Sequence, residues 1–348
     1  MVAVAVAATA VGCGNDPCDL SAETCTISAT VSTLEVPAGS EDEDVCQSVT
    51  LDNPTELWVR SIRQVNTGAY HHANWFFVPD DQFDLPDGAW SCAEQNFSEL
   101  TAAILGGYLF AMSTQSREET QVIPAGGAIR IPPYSRLIGA SHLLNAGDEA
   151  VLTELEITLQ TVPPADVAAK LAPARITYHD LNIDAGARSS FSTECMIADS
   201  YRDVMGTAFQ MELFYGLSHY HDLGTYARVE IVGGPRDGEV LFRADGVGEN
   251  YGRPFDPPVN LAAEGAEGIR FTCGFDNPRP ELVDWGIGDQ EMCVLALMHR
   301  SDMAWDGIVD DGAGQRLGVA PDGEIEYAGP CSILGIPWDH DKPGGPGR

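Results

Sequence analysis

The strongest constraint in this sequence is an alternation. Short segments place apolar and polar residues in turn, and clusters of Gly, Pro, Asn and Asp interrupt them. A period of two belongs to a strand with one face buried and one face wet. It marks Glu56–Val65 (ELWVRSIRQV), Ala128–Pro132, Arg136–Leu144 and Val151–Thr161. The stretch 161–173 (TVPPADVAAKLAP) breaks the pattern and reads as a linker. Beyond it, strand character returns in Arg175–Ile183, Thr207–His221, Ala227–Val232, Glu239–Arg243 and Gly268–Phe275. Pro235-Arg236-Asp237-Gly238 reads as a hairpin loop. Helical signals are few, and Ser98–Leu105 is the best short candidate. The expectation is an all-β chain with two β-sandwich domains joined by one linker.

Length agrees, because 348 residues exceed one small core. The formal charge is −33, and Lys170 and Lys342 are the only lysines. So acidic a surface repels phosphates, which argues against nucleic acid or anionic lipid as a partner. The opening MVAVAVAATAVGCGND is a short apolar run ending in small residues. It resembles the tail of a bacterial signal peptide with a lipobox at Ala10-Val11-Gly12-Cys13, which makes Cys13 the candidate lipid-anchor position. The reading is an exported protein, periplasmic or extracellular, or a membrane-anchored lipoprotein. Residues 1–25 form the leader and linker, 26–162 the first domain, 174–336 the second, and 337–348 a flexible tail. The acidic run Ser40–Asp44 also reads as flexible leader. Nine cysteines occur and no CxxC does, which favours disulfides over a thiolate metal site. With Cys13 set aside, eight remain: Cys18, Cys25, Cys46, Cys92, Cys195, Cys273, Cys293 and Cys331.

Of eight histidines, four occur as two close pairs. His219 and His221 are two apart in a strand-like run, so they project from one face as a ready clamp for a metal, or as two partly buried, hydrogen-bonded histidines. His71 and His72 are adjacent and point to opposite faces of an ideal strand. They reach one ion together only through a backbone distortion or a bulge. His142, late in the same half, is the candidate third partner. Met292, in Gly288-Asp289-Gln290-Glu291-Met292-Cys293, offers a thioether. A thioether with two imidazoles is a soft donor set that suits copper cycling between Cu(I) and Cu(II).

Taken in order, these elements resemble the copper type II, ascorbate-dependent monooxygenases, the family of peptidylglycine α-hydroxylating monooxygenase and dopamine β-monooxygenase. The resemblance runs from about Cys46 to Cys331: the HH pair, a strand His, HxH followed by Leu-Gly, Cys273-Gly274-Phe275, then a Gly-rich turn into Glu-Met-Cys. It implies two antiparallel jelly-roll β-sandwich domains side by side with a cleft between them. It implies an electron-transfer copper on His71, His72 and His142, and an oxygen-binding copper on His219, His221 and Met292, the catalytic set. It implies the disulfides Cys46–Cys92, Cys273–Cys293 and Cys195–Cys331, with Cys18–Cys25 left as a local leader loop. The implied activity is hydroxylation of a C–H bond in a small organic substrate, using O2 and an external, ascorbate-like one-electron reductant.

Three positions depart from the family's pattern. Leu217 stands where peptide-hydroxylating members carry an Arg for the substrate carboxylate, Val294 replaces an Asn, and Ala296 replaces a Tyr. The implied substrate is therefore not a peptide carboxylate but something more apolar or uncharged. The rival reading is an exported copper-binding or copper-buffering protein without turnover. His179, His299 and His340 read as packing or surface residues.

Overall fold

A computed structural model describes residues 19–82, 86–113, 116–247, 252–286 and 288–340. Strands dominate it, and the chain divides into two compact units between Leu171 and Ala172. Cys13, Cys18 and residues 341–348 of the tail lie outside the described residues, as does the expected Cys18–Cys25 pairing. Among the described residues, no helix is long and apolar enough to cross a membrane.

The first unit has two main sheets. One runs in the order Thr26–Thr30, Leu155–Thr161, Leu57–Asn66, Gly127–Ile131, Ala169–Lys170, with Glu118–Val122 also paired to Leu57–Asn66. The other runs Gly88–Ser91, Ser40–Thr50, Ser135–Asn145, Tyr70–Pro79, Gly107–Ala111. Their inner faces meet where Trp75 Nε1–H donates to Gln64 Oε1 at 2.9 Å, both side chains buried. Gly139 pairs with Trp75, and a Cβ there would fall 2.7 Å from the indole, so only glycine leaves room for the ring. The helix Glu99–Leu105 covers the outer face at Phe76, Val78 and Ile138, and Ser98 caps its N-terminus.

The second unit pairs Arg253–Asn260, Glu212–His219, Val294–Arg300, Ala172–Tyr178, Met303–Val309 and Ser332–Pro337 in one sheet. The other holds Val240–Asp245, Gly224–Val232, Gly268–Asn277, Ala187–Cys195, Ile325–Pro330 and Gln315–Val319. One apolar core joins them, with Ile176, Leu295, Leu297 and Trp305 from the first sheet and Phe191, Val229, Phe271 and Phe275 from the second.

Both units follow one strand plan. In the first, Ser40–Thr50 and Tyr70–Pro79 flank Ser135–Asn145; in the second, Ala187–Cys195 and Gly224–Val232 flank Gly268–Asn277. Each central strand ends in an asparagine that staples a two-stranded clasp. Asn145 Nδ2 donates to the carbonyls of Val36, Pro37 and Glu149, beside the pair Leu34–Val36 and Val151–Thr153. Asn277 Nδ2 donates to Ile183, Asp184 and Glu281, beside Asn182–Ile183 and Val283–Asp284.

The structure corrects several expectations. Ser40–Asp44 is not leader but the first half of the strand Ser40–Thr50. Its residues are mostly exposed, so no apolar alternation announces them. A helix unmarked by the sequence reading, Ile197–Met205, buries Ile197, Ala198 and Tyr201 and ends at Gly206 in the left-handed region (φ 66°). Its Ser and Asp residues have low helix propensity and hide it, while packing holds it in place. Val151–Thr161 is broken at Glu154. Among the described strands, three pairs run parallel: Ala169–Lys170 with Gly127–Ile131, Ala172–Tyr178 with Met303–Val309, and Ala187–Cys195 with Ile325–Pro330. No tight hairpin links these partners, so nothing local fixes their direction. The strand Ser332–Pro337 extends into the segment read as tail.

Among the described residues three disulfides have both cysteines in view: Cys46–Cys92, Cys195–Cys331 and Cys273–Cys293. Loops of this size restrict the unfolded chain by about 3–5 kcal/mol each. Their number fits an oxidising compartment.

Candidate metal centres

The first site is built by a defect in the sheet. His142 pairs with His72, and the next pair is Leu143 with Tyr70. His71 is therefore an extra residue on its strand, a β-bulge that turns a side chain away from its expected face. His72 and His142, being directly opposite, already share the outer face with Asn74 and Ala140. The bulge brings His71 to them. The ring centroids lie 4.8 Å apart for His71–His142, 5.2 Å for His72–His142 and 5.6 Å for His71–His72. An ion ~2 Å from each ligating nitrogen sits roughly 3.2 Å from each ring centre, so these spacings match rings about one ion at angles of roughly 95–125°.

His142 is 2% exposed, and its tautomer can be read from its neighbour. Its Nε2 lies 2.7 Å from Glu41 Oε1. A carboxylate oxygen accepts here, so Nε2 carries a proton, and in the neutral ring the lone pair is on Nδ1. Nδ1 is buried with no hydrogen-bond partner among the described residues. A buried imidazole with one nitrogen held by a carboxylate and the other open is the arrangement of a metal ligand. Glu41, Glu43 and His142 also have ligand atoms within 4.8 Å of one another. That grouping has two exposed carboxylates and is harder in character than the three-imidazole set.

The second site sits at a strand end. His219 closes the strand Glu212–His219, and His221 follows in a turn in which Gly224 N–H donates to His221 C=O. The rings of His219 and His221 are 5.2 Å apart and nearly perpendicular, at 87°. Tyr220 points the other way into the core, its hydroxyl donating to Gly246 C=O. Gly224 makes room for that ring, since a Cβ there would lie 1.9 Å from Tyr220 Cδ2. His221 Nδ1 donates to Gln290 C=O at 2.8 Å, because a carbonyl only accepts. The lone pair of His221 is then on Nε2. The ladder ends at His219↔Val294, and Met292 lies two residues beyond it, in the loop whose Glu291 accepts from the backbone N–H groups of both His221 and Met292.

Glu291 holds this loop. It is 1% exposed and accepts the backbone N–H groups of His221 (2.8 Å), Leu223 (2.7 Å) and Met292 (3.3 Å). Burial pushes its carboxyl up to about 7, against the lowering pull of the three amides. Cys293, next to Met292, is bonded to Cys273 on the opposite sheet of the same unit. Leu217, Val294 and Ala296 line up with His219 on the sheet face away from the core, since paired residues share a face.

Sequence reading missed Glu41, Glu291 and the Gln290 carbonyl. Glu291 and Gln290 flank the singled-out Met292, so proximity in sequence could have flagged them. Glu41 lay within a run read as leader. His179 stacks near Trp285 with centroids 4.4 Å apart, and His299 is wholly buried beside Trp305; neither joins either site.

No protein-family model matches the chain, and no curated protein matches it. Among solved structures it is similar to the major capsid protein P2 from Bacteriophage PM2, at 9% identity and TM-score 0.33, over 79% of this chain and 97% of that one. It is also similar to PNGF-II, at 10% identity and TM-score 0.30, over 77% of this chain and 65% of that one. A peptide-N(4)-(N-acetyl-β-D-glucosaminyl) asparagine amidase is similar at 6% identity and TM-score 0.30, over 77% of this chain and 96% of that one. Likenesses of this depth carry no argument about what the chain does.

Proposed function

We propose that the chain is an exported copper-dependent monooxygenase of two jelly-roll domains, hydroxylating a C–H bond of a small organic molecule. The observation that carries this reading is the gathering of His71, His72 and His142, whose ring centroids lie 4.8 to 5.6 Å apart. His71, His72 and His142 would hold one copper; His219, His221 and Met292 would hold the other. Copper there would supply one-electron redox chemistry and the activation of O2, with electrons from an external, ascorbate-like donor. The protein's part is positional. Glu41 and the Gln290 carbonyl fix two imidazole tautomers, and Glu291 pins the loop between His221 and Met292. The buried Leu217 and the half-buried Val294 and Ala296 place uncharged side chains beside His219, which suits an apolar substrate and gives no counter-charge to a carboxylate. The lipid anchor at Cys13 belongs to this proposal as well.

The test is copper loading followed by O2 uptake with a non-thiol reductant. The expected result is about two coppers per chain and O2 consumption that Met292→Ile abolishes while roughly one copper is retained. Two coppers without O2 consumption under any substrate-like additive would instead identify a copper-buffering protein. No bound copper would end both readings.

A further inference from the structure

We infer that Glu41 is the positioning residue of the three-histidine site, and that its carboxylate biases the metal held there toward the doubly charged state. The inference rests on the copper reading of His71, His72 and His142. Three observations support it. Glu41 Oε1 accepts from His142 Nε2 at 2.7 Å, which leaves Nδ1 as the donor nitrogen of a ring that is 2% exposed. The strand bearing Glu41 is itself distorted to allow this. Ser141 pairs with Val45 but Leu143 with Asp42, so Ser40–Thr50 carries an extra residue at the level of His142. After that shift Glu41 stands opposite Leu144, on the same face as His142 and one diagonal step away. The central strand is thus flanked by irregularities on both sides at one residue: one brings in His71, the other brings in Glu41.

The third observation is a contrast. His221 also has a fixed ring nitrogen, but its partner is the neutral Gln290 carbonyl. A carboxylate on an imidazole N–H strengthens electron donation by the other nitrogen and adds a negative charge near the ion. Both effects favour Cu(II) over Cu(I), because attraction scales with the cation's charge. The three-histidine site becomes the one that more readily gives up an electron. Glu41 keeps 39% of its side chain exposed, so the charge effect should weaken with ionic strength.

The experiment uses the full chain in a His219→Ala/His221→Ala background, which leaves one proposed site, titrated separately with buffered Cu(II) and buffered Cu(I). Glu41→Gln keeps a carbonyl acceptor for Nε2–H and removes the charge; Cu(II) affinity should fall about tenfold and Cu(I) affinity little. Glu41→Ala removes both functions and should weaken binding of both ions by about 10–100-fold. Glu43→Gln, which removes a nearby charge but no hydrogen bond to His142, should lower Cu(II) affinity less than Glu41→Gln does. Unchanged Cu(II) affinity in Glu41→Gln and Glu41→Ala would overturn the inference while leaving the copper site standing. If His72→Ala still bound copper and Glu41→Gln/Glu43→Gln did not, the ion would lie on the carboxylates, and the inference would fail. If the background protein bound no copper at all, the copper reading itself would fail.

Discussion

The two units are copies of one strand plan that place their candidate ligands in different parts of it. In the first unit the histidines sit on the central strand Ser135–Asn145 and its neighbour Tyr70–Pro79. In the second unit the corresponding strands are Gly268–Asn277 and Gly224–Val232, and the same bulge is there. Gly274 pairs with Tyr226 and Phe275 with Gly224, which leaves Thr225 as the extra residue. Counting from the stapling asparagines, Thr225, Tyr226 and Gly274 stand where His71, His72 and His142 stand in the first unit. No metal ligand set occupies them. Gly274 instead makes room for the Tyr226 ring, whose Cε1 would lie 2.1 Å from an added Cβ. The second unit's histidines lie at the end of Glu212–His219, on the other sheet. The bulge is therefore a property of the fold, and the imidazoles are a use made of it. A backbone irregularity shared by both units supplied a place where adjacent residues can face one point, and only one unit filled it with donors.

This comparison can be broken most directly by exchange. Giving the first unit the second unit's residues, His71→Thr, His72→Tyr and His142→Gly together, should remove the proposed three-histidine copper site while the fold is retained. Copper analysis and circular dichroism would check this; a protein that unfolds would mean the two bulges are not interchangeable. Next in size are the staples. Asn145→Ala and Asn277→Ala each strand three carbonyls, and each should cost about 3 kcal/mol in denaturant unfolding of its own unit. A severe effect in one unit and a negligible one in the other would sink their equivalence. A third test concerns a buried acid of the first unit, whose burial is matched in the second unit by Glu291. Glu119 accepts from Ser113 and Gln121, and burial pushes it up to about 7. A carboxyl raised in the fold binds its proton more tightly folded than unfolded. Stability should therefore fall as pH rises from about 4.5 to about 7 and level off above, by up to ~3 kcal/mol in all. Glu119→Gln should flatten that slope by up to one proton, read from unfolding midpoints across the range.

Much of this was legible in the residues, and the rest was hidden for definite reasons. Segments with one dry and one wet face, such as Leu57–Asn66 and Ser135–Asn145, show themselves by alternation. The half-strand Ser40–Asp44 did not, because charged residues on both faces give no period. The adjacency of His71 and His72 called for a bulge, but its position opposite His142 depends on pairing between strands some seventy residues apart in sequence. Glu41 was out of reach for the same reason: its contact with His142 crosses 101 residues. The parallel pairs were equally silent, since strand direction across a long connection leaves no local mark.

One covalent detail bears on how the second unit withstands reducing surroundings. Both sulfurs of Cys273–Cys293 are at 0% exposure, whereas Cys92 and Cys331 are partly open to solvent. Thiol attack needs access to a sulfur atom. Small reducing molecules that reach the imidazoles would leave the brace behind Met292 untouched until the sheets part. The lifetime of that brace in reducing surroundings is then set by how often the second unit opens, and not by the strength of the donor.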